Sequence, residues 1–201
     1  MNKSDVAIFD KFQHFAVKHL LNLKNTTRSD MAQSILGLHP IESYIDKRKL
    51  YFLQKLCQLE NEYLSKKIFL TRLFSFFTDS NRTQYGFVRD ILNILSKYKL
   101  ETYLNNFLSD GIFPLKDKWK LIVNEAINRT QTEQWHIRIN IDKDFCRFKL
   151  IHSEISVLRS LQAAKSSIEI YNSYLVLKLI TDIPDSTSGY CKLCERNYSD
   201  V

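Results

Sequence analysis

The sequence predicts an all-α fold, an irregular multi-helix bundle of about seven or eight helices, and three observations carry that expectation. Apolar residues recur at i, i+3, i+4 and i+7 through most of the chain. Gly and Pro number only 4 and 3, too few for the tight turns of a sandwich or barrel. Alternation of the strand type occurs at Ile137, Ile139 and Ile141, but with no second strand to pair with. The stretch HIRINID at 136–142 is therefore read as helix.

The first helix is predicted over 5–23, capped near Ser4, with Val6, Phe9, Phe12, Phe15, Leu20 and Leu23 on its inner stripe. A short helix follows, for which Thr27, Ser29 and Asp30 offer N-cap oxygens and Gly37 a left-handed stop. Pro40 opens the next helix at a position that needs no N–H donor. That helix buries Ile41, Ile45, Phe52 and Leu56, widened by Tyr44, Leu53 and Cys57, and turns Asp46 and the cations outward. A further helix with Asn61 as cap is apolar around much of its circumference, from Tyr63 and Leu64 through Phe69, Leu73 and Phe77. It must be deeply buried or meet another part of a larger protein.

Thr78 to Thr83 reads as a loop, then 84–97 and 100–109 as helices, the second stopped by Gly111. Pro114 opens a helix with Trp119, Val123, Ala126 and Ile127 inside. Phe145, Phe148, Leu150 and Ile151 form a short packed turn of helix, and a last helix covers 155–181 with a break near Ser166 and Ser167. DIPDSTSG at 182–189 is a turn-rich linker into CKLC.

The chain is 201 residues long, enough for one or two domains, and carries a net charge of +7. Residues 131–201 hold nine basic and nine acidic side chains, so the excess lies before them. A basic excess suits an acidic partner, of which nucleic acid is the commonest, or merely a solvated surface. No apolar run approaches the roughly 20 residues of a membrane helix, and charges interrupt the N-terminal apolar stretch where a secretory signal would need none. The expectation is an intracellular chain, nuclear or cytoplasmic and not secreted. The sequons beginning at Asn25, Asn81, Asn128 and Asn197 are then chance matches, and Cys57 and Cys146 buried thiols.

The segment 27–59 organises the chain through the blocks TRSD at 27–30, LGL at 36–38, PIESYIDKRKL at 40–50 and FLQKLC at 52–57. Downstream stand IFLTRLF at 68–74, GFVRDIL at 86–92, LSDGIFP at 108–114, DFCRF at 144–148 and CKLC at 191–194. In these residues, and in their order, the chain resembles the region that follows the polymerase domain in non-LTR retrotransposon endonuclease–reverse transcriptases. The resemblance implies a C-terminal, thumb-to-zinc-knuckle portion of such a polyprotein. It divides the chain into a basic helical bundle over 1–130, a further helical segment over 131–182, and a linker with the start of a zinc knuckle over 183–201. The missing polymerase portion of the parent protein is then one partner, and an RNA or DNA backbone another.

Catalysis is not expected. Nucleotidyl transfer needs a close carboxylate pair for two metal ions, and no Asp-Asp occurs; the nearest substitute is Asp142-x-Asp144. His14, His19, His39, His136 and His152 share no ligand spacing, and neither a zincin motif nor a phosphate loop is present. Cys191 and Cys194 have the spacing of half a zinc site or of a redox dithiol. In the resembling family the pair begins a Cys-Cys-His-Cys knuckle, but no His or Cys follows Cys194. Zinc would need Cys146, His152 or a second molecule to complete it, and no other cofactor is implied.

Lys47, Arg48, Lys49, Lys55, Lys66, Lys67 and Arg72 fall on two adjacent predicted helices. Packed antiparallel, those helices would present a face either for a phosphate backbone or for solvent. The resemblance favours the first, because a helical thumb grips the template–primer duplex; such contacts read backbone, not bases. The competing expectation is a helical protein–protein interaction module with no nucleic-acid role.

Overall fold

The computed structural model describes residues 3–78, 86–142, 145–181, 190–191 and 196–197. Ten helices form among them, eight of seven residues or more, and the fold is all-α. The linker at 182–189 and Cys194 lie outside the described residues, as does most of the loop at 78–83. Tyr190–Cys191 (β1) pairs antiparallel with Arg196–Asn197 (β2), Tyr190 opposite Asn197 and Cys191 opposite Arg196.

The helices group into two compact units, Glu42–Gln131 and the remainder, Met1–Ile41 with Thr132–Val201. The first contains most of α3 (Ile41–Gln58), then α4 (Leu64–Thr78), α5 (Phe87–Lys97), α6 (Glu101–Asp110) and the start of α7 (Lys116–Ile141). The stretch 136–141 is the helical end of α7, as expected, with Ile139 buried and Ile137 and Ile141 together on the exposed side. Gly111 stops α6 in the left-handed conformation at φ 69°. The core of this unit joins Leu50, Leu53 and Leu56 of α3 to Phe69 and Leu73 of α4, Ile91 and Leu95 of α5, Leu104 of α6, and Trp119 and Val123 of α7. The buried Trp119 indole donates to the Leu50 carbonyl at 2.9 Å, which pins α7 to α3.

Two expectations for this unit are corrected. The inner face of α3 is Ser43, Asp46, Leu50, Leu53, Gln54, Leu56 and Cys57; the predicted Leu53, Leu56 and Cys57 are on it, whereas Tyr44 and Phe52 point outward. The rotation is set by α5, whose last turn offers Asp46 two donors, Lys97 Nζ at 2.9 Å and the Tyr98 hydroxyl at 3.0 Å. A carboxylate so paired tolerates burial, and the helix turns to let it. The α4 helix buries Phe69 and Leu73 but leaves Leu64, Ile68, Phe74 and Phe77 exposed, which overturns deep burial, the first of the two alternatives expected for it, and does not bear on the second.

The other unit contains α1 (Lys3–Leu20), α2 (Ser29–Ile35), the end of α7, α8 (Cys146–Ile151), α9 (Arg159–Ala163) and α10 (Ser167–Thr181). The N-cap position of α2 is Arg28 and carries no side-chain cap; Asp30 accepts the Met31 N–H at 3.0 Å and pairs with the Arg28 guanidinium. The same guanidinium bonds Asp142 and lies 4.4 Å over the Phe145 ring, which commits Asp142 to structure. Asp144 is outside the described residues.

At the end of α2, Gly37 N donates to the Ser34 carbonyl and Leu38 N to that of Gln33, both at 3.0 Å. This paired C-terminal cap needs the left-handed φ of 64° found at Gly37. A Cβ there would meet the backbone of Ser156 and Val157 at 3.3–3.4 Å, where the returning chain bridges Leu36 to Val157. The predicted break in the last helix falls between α9 and α10. Its cause is a reciprocal cap: Glu169 N donates to Ser166 Oγ at 3.3 Å and Ser166 N to the Glu169 carboxylate at 3.1 Å.

The α1 stripe is also corrected. Val17 and Leu21 are buried, whereas Ile8, Phe9, Phe12, Phe15 and Leu20 are exposed. Gln13 occupies the inner side because both ends of its amide are satisfied, by the His39 carbonyl and by Gln33, each at 3.0 Å. In the short helix α8, Phe145 and Phe148 pack edge-on against Trp135 as predicted core, but Leu150 and Ile151 face outward.

Candidate nucleic-acid interface

The seven predicted basic residues do not share one face. Lys47, Arg48 and Lys55 lie on α3, where residues three, four and seven apart align. The Lys47 ammonium lies 5.8 Å from the Tyr51 ring centroid, a cation–π distance. Lys49 points toward α5 and pairs with Asp90 at 2.8 Å, which neutralises it. Lys67 and Arg72 are exposed on α4.

Lys66 is a clear departure from the expectation. It is 8% exposed, and its ammonium donates to the Cys57 carbonyl at 3.2 Å and the Leu59 carbonyl at 2.6 Å. These carbonyls lie at the end of α3, where the last turn has no helical donors of its own and a cation is favoured. Lys66 is thus a helix cap from a neighbouring element, packed 5.6 Å from the Phe107 ring centroid, and not a surface cation.

The basic groove that does form lies between α3 and the first turn of α7. Arg48, Tyr51, Phe52, Gln54 and Lys55 line it from α3, and Lys116, Trp119 and Lys120 from α7, around a volume of about 250 Å³. No carboxylate is among these lining residues. Trp119 and Gln54 are buried at the floor, while Phe52 is 49% exposed. Its ring meets Phe87 edge-to-face at 5.2 Å. Lys120 also pairs with Asp117 at 3.2 Å on its own helix. The start of α7 adds the partial positive charge of a helix N-terminus, roughly half an elementary charge.

Lys116 and Lys120 are the residues that sequence reading missed. Their signal was KDKWK at 116–120, where two lysines bracket a tryptophan one helical turn apart. Reading Trp119 as core was correct, yet it also places its neighbours opposite α3.

The other titratable cluster near the site is structural. Burial works against the Lys97 ammonium, but its hydrogen bonds to Asp46 and Glu42 outweigh that and hold it charged well above the usual lysine range. Burial, aided by the Asp46 charge, pushes the Tyr98 hydroxyl up to about 12. Cys57 is a free buried thiol, and burial raises it to about 12, which leaves it unreactive. Among the described residues no three His, Cys, Asp or Glu side chains gather as metal ligands, and Cys194 lies outside them, so no zinc chemistry is assigned. No helix among the described residues is long and apolar enough to cross a membrane. No protein-family model, no curated protein and no solved structure matches this chain.

Proposed function

We propose that this chain is a non-catalytic nucleic-acid-binding segment that holds RNA or DNA by its phosphate backbone, weakly and with little sequence preference, inside the cell. The observation that supports it is the groove in which Arg48, Lys55, Lys116 and Lys120 converge with no lining carboxylate. These cations stand on two packed helices of one unit, and release of counterions from the bound phosphates supplies the driving force. The resemblance to the region after the polymerase domain of non-LTR reverse transcriptases agrees with this reading and makes the segment an ancestral part of a larger polymerase. It requires no cofactor.

Binding to a generic duplex should weaken steeply as salt is added. Three to four neutralised phosphates, since Lys120 is shared with Asp117, give a slope of log affinity against log salt of about −2.7 to −3.6, at about −0.9 for each. Arg48→Glu with Lys116→Glu should flatten that slope by about 2 and lower affinity on every sequence alike. A slope near zero, or one that the double variant leaves unchanged, refutes the reading.

A second reading is favoured by the exposed Leu64, Ile68, Phe74 and Phe77 of α4, an apolar surface suited to another protein. It is separated by the same titration: a stable, monodisperse chain without salt-sensitive binding belongs to a protein-interaction module.

A further inference from the structure

The groove combines charge with an aromatic ring, which a site for phosphates alone does not need. Arg48, Phe52 and Lys55 are spaced i, i+4, i+7 along one stripe of α3, about 10 Å long at 1.5 Å per residue. Lys116 and Lys120 face that stripe from α7 across the groove. The volume of about 250 Å³ falls short of the ~300–1,000 Å³ of small-molecule sites, so it suits one ring of a polymer better than a whole cofactor. Phe52 meets Phe87 edge-to-face and remains half exposed within the groove.

We propose that the groove is a stacking site for one base of single-stranded nucleic acid, with Phe52 taking the base and Arg48, Lys55, Lys116 and Lys120 the flanking phosphates. The proposal rests on the nucleic-acid reading above and narrows it. Bases in a duplex present their faces to each other, so only an unpaired strand offers one to an aromatic ring. Every base has such a face, and the site therefore discriminates strandedness rather than sequence.

The test is fluorescence anisotropy with a labelled oligothymidine and a duplex of equal length, at one salt concentration. The chain is compared with Phe52→Leu and Phe52→Tyr, and with Arg48→Glu plus Lys116→Glu. Leu keeps an apolar contact with Phe87 but has no π face, whereas Tyr keeps both. Phe52→Leu should weaken single-strand binding about 5- to 150-fold, the range of one lost base stack, while duplex binding stays within about 2-fold. Phe52→Tyr should retain both. If Phe52→Leu weakens neither substrate, or both equally, the stacking site is overturned while the backbone reading stands. If the charge variant also changes nothing, or neither substrate binds, both readings fall.

Discussion

Substituting Lys66 by Met separates a binding residue from a structural one, because Lys66 belongs to the basic set that sequence alone places on the surface. Met keeps the length of the side chain and its packing near Phe107, and removes only the ammonium. Two carbonyls then lose their donor. The bond to the Cys57 carbonyl is buried, whereas that to the Leu59 carbonyl is only partly buried, so the latter oxygen can hydrate. Stranding one buried acceptor costs about 1–3 kcal/mol, and losing a charge-assisted bond to a hydrated one costs less. Against this stands the desolvation penalty that a buried ammonium no longer incurs. The net expectation is a loss of about 2 kcal/mol, or roughly 4–8 °C in thermal midpoint for a chain of this size. Circular dichroism melts would read the shift, and anisotropy on the same sample should find nucleic-acid affinity unchanged below the midpoint. An unchanged midpoint with weakened binding would put Lys66 back on the exposed face and refute the capping role.

Other outcomes follow from the same physics. Asp46→Ala should cost about 2–4 kcal/mol in denaturant melts, because it strands the fully buried Tyr98 hydroxyl and leaves Lys97 with the exposed Glu42 alone. Asp46→Asn, which still accepts a hydrogen bond, should cost clearly less; equal losses would show that the acceptor oxygen contributes nothing beyond the charge that both variants lack. Stability should also fall at alkaline pH. Cys57, Tyr98 and Lys97 all hold their protons more tightly folded than unfolded. Their contribution is therefore intact below the unfolded thiol value of about 8.5 and is lost as pH rises toward 12. A thermal midpoint that is level from pH 7 to 8 and falls above 9 is expected, with the onset delayed in Cys57→Ala. A midpoint level to pH 11 would contradict the assignment.

The positions of the helices were legible because their signals are local. Gly37 and Gly111 mark ends at which a left-handed residue is needed, and Ser166 with Glu169 form a cap within one turn. The continuation of helix through Ile137, Ile139 and Ile141 was equally readable, since a lone strand has no ladder to join. The inner faces of α5, α6 and α7 were legible too, through Ile91 and Leu95, Leu104 and Phe107, and Trp119, Val123, Ala126 and Ile127; those of α1 and part of α3 were not. The stripe of α1, and that of α3 at Tyr44 and Phe52, were misplaced because the half-buried Gln13 and the buried Asp46 bond partners far along the chain, Gln33 with His39, and Lys97 with Tyr98. A polar side chain satisfied by such partners outcompetes a larger apolar one for the inner face, and no local pattern announces that partner.

The same division runs through the candidate site. Sequence by itself determined that the chain is helical, basic in its first two thirds, and holds no Asp-Asp dipeptide. Tertiary structure decided which cations could act together. It neutralised Lys49 with Asp90, buried Lys66 as a cap, and set Arg48 and Lys55 opposite Lys116 and Lys120. Charge is a property of composition, but a binding face is a matter of distance. The distance between α3 and α7 is fixed by the Trp119 indole on the Leu50 carbonyl and the core beneath it.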